Sequence, residues 1–571
     1  MMLRNADIVV VGASLGGVLA AWRACEAGKH VVLLAQHAWL GGQMTAQGVP
    51  PDEHHAIEFG GASASYVAFR AAMRAHYLRD PDFLNRSIMT EGVNPGDGWV
   101  SRLCFEPRVA AEYFEAMLAP FVANGQLVLL RGASLTHVAN DGARITHVDC
   151  TYANSHAAEQ GVIAARLSAE FFLDATDTGE LIAAAGIAYR LGKEARDAFD
   201  EPDAPEQADP RDQQPVTWVM ALRQHASPTS ETLPGGLSAT RPIERPDEYA
   251  MWRRYRVPHF GHLLFSLAMP GSVRGESTSL PLFAAGSTLD WWRYRRVISA
   301  GNWRQPRPEV SLVNWAQNDY ALEPLLDGAV SPAEVGARAR VLSQCLLYWL
   351  QMEAPDAAGQ PCGYPTLQLA PDVLGTADGF AQQVYVRESR RIVGLSTLHQ
   401  RPLLLDQPRP DGQADAALMV PMPLNLSDSV GVAWYNMDIH PTVVSGHGVN
   451  AKVRPFTLPI GAFVPADCEN LIPACKNISV THLVNAATRT HPTEWLIGEV
   501  AALLAVQAID THCSLRALAT EPARVQAFQS RLRALGIPTE WDTAWLEAMQ
   551  RHAAVKVEAH AQAHNPKHQP K

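Results

Sequence analysis

Ile8-Val9-Val10-Val11-Gly12-Ala13-Ser14-Leu15-Gly16-Gly17 is the stretch on which the reading of this chain turns. Four apolar residues run into a glycine-rich turn, and Val18 to Ala27 continues as a helix of small and apolar residues that Gly28 closes. A second apolar strand, Val31-Val32-Leu33-Leu34, follows. This succession of strand, tight turn, helix and strand opens a dinucleotide-binding fold, in which a helix N-terminus and a close-approaching backbone hold a diphosphate. Two positions depart from the usual pattern. Ser14 stands where G-x-G-x-x-G has its second glycine, and Ala35 followed by Gln36 stands where an acidic residue would hold the adenosine ribose.

The rest of the composition narrows the class. A chain of 571 residues exceeds one ordinary core, so at least two lobes are expected. Its formal charge of -11 offers no general attraction to nucleic acid or to an anionic membrane, and the short basic block Trp291 to Arg296 reads as an ion-paired or substrate-facing element. Eight cysteines without a C-x-x-C pair argue against a disulfide framework, a zinc site or an iron-sulfur cluster, and no metal is expected. A reducing cytoplasm fits that usage. Asp7 and the glycines interrupt the first apolar run, which argues against a signal peptide, and no apolar run approaches the ~20 residues of a membrane span.

Along the chain, Leu40 to Gly61 reads as a long functional loop and Arg108 to Ala123 as a helix before a strand at Gln126 to Arg131. Ser134 to Ala139 and Arg144 to Thr151 form a hairpin across Asn140-Asp141-Gly142-Ala143. Ala169 to Asp174 is a strand feeding Ala175-Thr176-Asp177-Thr178-Gly179. The acidic, proline-containing segment Arg196 to Pro215 reads as an exposed connection. Strands and helices mix from Val216 to His440, including a helix from Pro332 to Gln351, with no second glycine fingerprint. Asn470 to Ala474 then returns as a strand, and Thr493 caps a long apolar helix reaching Ile509. Helices such as Pro522 to Leu535 follow, and His560 to Lys571 reads as a disordered tail.

Which dinucleotide is bound is decided after the second strand. Trp39-Leu40-Gly41-Gly42-Gln43-Met44-Thr45 resembles the glycine pair with which flavoproteins of the glutathione-reductase type wrap around FAD. The resemblance extends over nearly the whole chain to a bacterial family of FAD-dependent oxidoreductases. Its carriers are Gly41 to Val49, Pro51 to His54, Ser101 to Pro107, Leu173 to Thr176, Leu312 to Tyr320, Tyr385 to Ile392 and His491 to Glu499. The family implies an α/β fold with a discontinuous Rossmann-like FAD-binding lobe, three-layered and of the glutathione-reductase type. It also implies an inserted α+β substrate or cap lobe and C-terminal helices. The expected divisions are 1–195 and 441–511 for the FAD lobe, 196–440 for the cap and 512–571 for the helices and tail.

The resemblance places Gly12, Ser14, Leu15, Gly16 and Gly17 at the diphosphate and Gln36 near the ribose. Gly41, Gly42, Gln43 and Met44 are implied along the ribityl and isoalloxazine side, with Ala175, Thr176 and Gly179 closing on the nucleotide. Cys475-Lys476-Asn477 stands where relatives carry Gly-x-Asp, so Lys476 and Asn477 take that contact. The first turn of the helix with Trp495, Leu496 and Ile497 would face the flavin O2 edge, where negative charge grows on reduction.

Flavin chemistry needs a C–H bond over N5 and a group to accept the accompanying proton. His440 and His491 are the candidates for proton transfer, Glu494 is a further catalytic candidate, and Arg489 or Arg387 would orient an anionic group. Cys104 reads as a small buried hydrophobe rather than a redox thiol. The expected activity is hydride transfer between a small organic substrate and the flavin, of dehydrogenase or oxidase type. A flavin monooxygenase is the enzymatic alternative, and a non-catalytic binding or assembly protein with a weakened FAD site is the alternative from another class. The oligomeric state is not legible.

Overall fold

In the computed structural model, residues 2–89, 91–154, 161–225, 242–270, 277–405 and 421–563 are described. Strand β1 (Met2–Val11) leads through the glycine turn to helix α1 (Leu15–Glu26) and strand β2 (Val31–Ala35). Helices α2 (Ala64–Leu78) and α3 (Pro107–Ala123) follow, then β3 (Leu127–Arg131), the hairpin β4 (Ser134–Asn140) and β5 (Ile145–Ala153), and the long β6 (Val162–Asp174). The sheet order is β3-β2-β1-β6-β5-β4. β1 lies parallel to both β2 and β6, with Val11 beside Leu34 and Asp174, so the strand ends align at the glycine turn.

These strands are apolar at nearly every position because both faces are covered, as parallel sheets require. Ile8, Val10, Leu33 and Ala35 face the core beneath α1, while Val9, Val11, Val32 and Leu34 face a second cluster with Leu167, Phe172 and Leu181. β6 is longer than its apolar end suggests: residues 162–167 pair with β5, and residues 172–174 pair with a strand from far along the chain.

A second, antiparallel sheet consists of β7 (Met220–Gln224), β8 (Arg296–Ile298), β9 (Glu309–Val313) and β10 (Leu367–Leu369) in the order β8-β9-β7-β10. Helix α4 (Pro332–Met352) packs with it in an apolar cluster that runs from Leu191 to Val386. The chain then re-enters the first core through Val430 to Val464, which includes the short pair β11 (Met437–Ile439) and β12 (Val449–Ala451). β13 (Leu471–Pro473) is the distant partner of β6, and α5 (His482–Thr488) and α6 (His491–Thr511) follow. Helices Leu515–Thr520, Pro522–Ala534 and Thr543–Ala563 end the described chain.

Helix α6 is the spine of the nucleotide lobe. It is long and apolar enough to cross a membrane, but 89% of its apolar window is buried inside the protein. It crosses α1 at a glycine contact: a Cβ on Gly498 would lie 2.1 Å from the Gly16 carbonyl oxygen. Beside that contact Arg23 of α1 meets the buried Glu499 of α6 at 2.7 Å.

Three expectations are corrected here. The cap of α6 is Thr490 rather than Thr493, because Pro492 takes a first-turn position where no amide is needed. The segment Arg196 to Pro215 is not an exposed connection throughout: Glu201 is fully buried, bonded by Thr481 and the Gln400 amide, and Asp212 is buried against Lys193 at 2.9 Å. Of the tail, residues 560–563 continue the last helix, and residues 564–571 lie outside the described residues.

Candidate active site and cofactor cleft

The glycine turn is held in shape by its own packing. Gly12 has φ +101°, and a Cβ there would lie 2.4 Å from the Ala175 carbonyl oxygen. Ser14 caps α1, its Oγ accepting from the Gly17 amide at 3.2 Å. The glycine pair closes behind: the Gly41 amide donates to the Ala13 carbonyl at 3.0 Å, and a Cβ on Gly42 would lie 2.8 Å from Ser14 Cα. Ala175 and Thr176 lie against the same turn, at the C-terminal ends of the parallel strands, whereas Gly179 packs against Arg390. Ala35 is fully buried at the end of β2, and Gln36 is the first exposed side chain beyond it.

A buried polar cluster adjoins the turn. The Gly16 amide donates to Glu494 Oε1 at 3.2 Å, and Gln43 Nε2 donates to Glu494 Oε2 at 2.5 Å and to the Arg489 carbonyl at 3.0 Å. Lys476 Nζ lies 2.5 Å from Asp177 Oδ1 and 3.4 Å from Glu494 Oε2. Burial opposes the charge on Lys476, but Asp177, Cys475 and Glu494 outweigh it and hold the ammonium protonated. Asp177, Cys475 and Glu494 are near enough to share a metal ion, yet the cation among them is Lys476 itself.

FAD fits this chemistry at the turn. A helix N-terminus with an amide already donating to an oxyanion is a natural anion site, and a diphosphate is such an anion. Gly12 to Gly17, with Gly41 and Gly42 behind, would hold that group.

Next to the cluster lies a cavity of about 410 Å³, within the roughly 300–1,000 Å³ of small-molecule pockets. Trp291, Tyr294, Trp434 and Tyr435 wall it with aromatic surface. Arg489 caps α5 and reaches the cavity, donating to Tyr385 Oη at 2.7 Å and to the Asp438 carbonyl at 3.1 Å. Arg295 approaches Asp52 at 3.3 Å. Arg489 joins the two regions, since its carbonyl accepts from Gln43 while its guanidinium lines the cavity.

His440 sits at the end of β11 between two carboxylates. Nδ1 is 2.5 Å from Asp319 and Nε2 is 3.5 Å from Asp438. Burial and Arg387 disfavour the imidazolium, but the two carboxylates prevail and raise the His440 pKa above its ordinary value. Burial works the other way on Asp319, yet Arg387 and His440 pull it down to about 2. Against burial, His440 and Arg489 hold Asp438 well below the usual carboxylate range.

Several residues expected at the site do other work. His491 is fully buried, accepts from the Asp52 amide at 2.9 Å through Nδ1 and donates to the Val49 carbonyl at 3.2 Å through Nε2. With both nitrogens held by backbone groups it clamps the 49–52 loop. Glu494 faces the glycine turn, away from His440. Trp495 turns into the core, bonding Ser65 Oγ at 2.8 Å beside Phe69 and Phe114. Leu496 packs on Gly431, Ile497 is fully buried, and Met44 is buried in the same core.

Asn477 ties strand ends together, accepting from the Cys475 amide and donating to the Asp174 carbonyl. Thr176 spends its hydroxyl on Asp174 and the Glu180 amide. Arg387 lines the cavity too, and its guanidinium is bonded to Asp319, Thr217 and the Pro215 carbonyl. Burial pushes the Cys104 thiol up to about 12, consistent with an inert side chain.

Asp52, Arg295, Asp319 and Tyr385 were not singled out from the sequence. Asp52, Asp319 and Tyr385 lie inside motifs quoted above, Pro51 to His54, Leu312 to Tyr320 and Tyr385 to Ile392, without a role, and Arg295 lies in the basic block Trp291 to Arg296, expected to be ion-paired or substrate-facing.

The fold is that expected of a flavin-dependent oxidoreductase. A family model described as FAD dependent oxidoreductase matches residues 7–532, and the chain belongs to that family, whose cofactor is FAD. No curated protein matches the chain significantly.

Among solved structures, a geranylgeranyl bacteriochlorophyll reductase-like protein from Thermoplasma acidophilum is 10% identical, with 96% of this chain and 88% of that one covered and a TM-score of 0.31. The flavin-dependent brominase Bmp2 is 12% identical over 41% of this chain and 49% of its own, with a TM-score of 0.23. The L-proline dehydrogenase from P. horikoshii is 14% identical over 34% and 25%, with a TM-score of 0.16. The chain thus spans less than half the length of the brominase and of the dehydrogenase.

Proposed function

We propose that the protein oxidises a small organic molecule bearing an anionic group, removing a hydride and a proton from it in the cavity beside the glycine turn. FAD, when bound, supplies the hydride acceptor. The observation that carries this reading is His440, held between Asp319 and Asp438 on the wall of a cavity that Arg295 and Arg489 also line. Asp319 accepts from Nδ1–H and orients the ring, which leaves Nε2 as the basic atom. Asp438 stabilises the imidazolium once the proton has moved. Arg489, positioned by Tyr385, would bind a substrate carboxylate, and the aromatic walls exclude water from the reacting bond. In this reading the cavity lies between an FAD lobe of residues 1–195 and 441–511 and a cap of residues 196–440.

The test is anaerobic bleaching of the flavin absorbance by a panel of hydroxy acids and amino acids. Each is compared with its uncharged ester or amide, and with NADH and NADPH. Bleaching by an acid, faster than by its neutral analogue and lost in Arg489→Leu, is expected. Bleaching by NAD(P)H alone would replace this reading with a monooxygenase.

A further inference from the structure

We infer that the Glu494 carboxylate and a phosphate oxygen of FAD compete for the Gly16 amide, which makes Glu494 a determinant of cofactor affinity. This rests on the glycine turn holding the diphosphate. Helix α1 has 12 residues, and among the amides of its first turn Gly17 is taken by Ser14 Oγ and Val18 by the Ser14 carbonyl. The Gly16 amide instead donates to Glu494 Oε1 at 3.2 Å, across 478 residues of sequence. An oxyanion of the chain's own thus stands where a bound oxyanion would.

The carboxylate is deliberately placed. Gln43 Nε2 grips its other oxygen at 2.5 Å, and Lys476 lies 3.4 Å away. Glu494, Lys476 and Cys475 are all buried, so no water screens the group. By formal charge Asp177, Glu494 and Lys476 sum to one net negative charge. A diphosphate adds about two more, and like charges repel strongly where water is excluded. Turning Glu494 away from Gly16 resolves both problems, because it frees the amide and leaves Lys476 with one carboxylate fewer to face the phosphate. Gln47 Oε1 is buried nearby without a partner, while its Nε2 donates to Asp177 at 2.8 Å. The cluster therefore has an acceptor in reserve for Lys476 when Glu494 moves.

The experiment is calorimetric titration of the FAD-stripped protein with FAD, in wild type and Glu494→Gln. The glutamine keeps the shape and removes the charge, so its Kd falls at least about tenfold, with a matching rise in the FAD-induced shift of Tm. An unchanged or weaker affinity overturns the competition. ADP, which carries the diphosphate without the flavin, displaces FAD from the wild type if the turn is the site. Failure of that displacement removes the underlying reading, whereas displacement by ADP with no gain in Glu494→Gln removes only the competition. Should the variant fold poorly, a structure of the wild-type FAD complex decides: Glu494 off the Gly16 amide supports the inference, and Glu494 still bonded to it overturns it.

Discussion

Replacing His491 by alanine separates a clamp from a catalyst, and the separation is visible in stability rather than in turnover. The imidazole accepts from the Asp52 amide and donates to the Val49 carbonyl, both at buried sites. Alanine strands both backbone groups, at about 1–3 kcal/mol each, so the expected loss is roughly 2–6 kcal/mol at pH 7.5.

The pH dependence sharpens the test. Burial, ahead of every other influence, lowers the His491 pKa from 6.5 to about 4. A base with a depressed folded-state pKa contributes stability above its unfolded value of about 6.5, and that contribution is lost as pH falls toward 4. At ~1.4 kcal/mol per pH unit the gap is worth roughly 3 kcal/mol. Wild type therefore loses this stability between pH 6.5 and 4, His491→Ala does not, and the difference between them shrinks on acidification. Urea unfolding followed by tryptophan fluorescence at pH 7.5 and pH 4.5 reads it directly. A loss under 1 kcal/mol at pH 7.5, or one equal at both pH values, would refute the clamp and restore His491 as a candidate for proton transfer.

Other consequences follow from the same contacts. His440 titrates above 6.5 in the folded protein, and Asp319→Asn brings its pKa down; histidine NMR checks both. The linked stability is fully present below about 6.5 and is lost as pH rises through the folded pKa, the reverse of His491. Gly498→Ala forces α1 and α6 apart because its Cβ would lie 2.1 Å from the Gly16 carbonyl. The expected cost is about 1–3 kcal/mol by urea unfolding, with weaker FAD binding measured by calorimetry. Gln36→Glu supplies the charge missing near the ribose, and FAD affinity is expected to rise by about 1 kcal/mol, since a charge-assisted hydrogen bond is roughly twice as strong as a neutral one.

The nucleotide half of the fold was legible because its signals are local. An apolar strand, a glycine turn and a helix lie within one continuous stretch, and the hairpin is announced by Asn140-Asp141-Gly142. The site was only half legible, because helix geometry and distant partners decide it. Glu494 and Trp495 are neighbours in sequence, yet about 100° of rotation per residue sends one to the Gly16 amide and the other to Ser65. From the sequence, Glu494 is expected in catalysis and Trp495 at the cofactor. His491 looked like a catalyst because its partners, Val49 and Asp52, lie some 440 residues away. The segment Arg196 to Pro215 looked solvated for a similar reason: the groups that bury Glu201 are Gln400 and Thr481.

The central claim is that FAD lies across the glycine turn with its flavin opening onto the cavity of Arg489 and His440. A crystal structure of the FAD complex tests it most directly. The account predicts a phosphate oxygen within hydrogen-bond distance of the Gly16 amide and the flavin ring bordering the cavity. A diphosphate bound away from the turn, or a flavin walled off from His440, would contradict it.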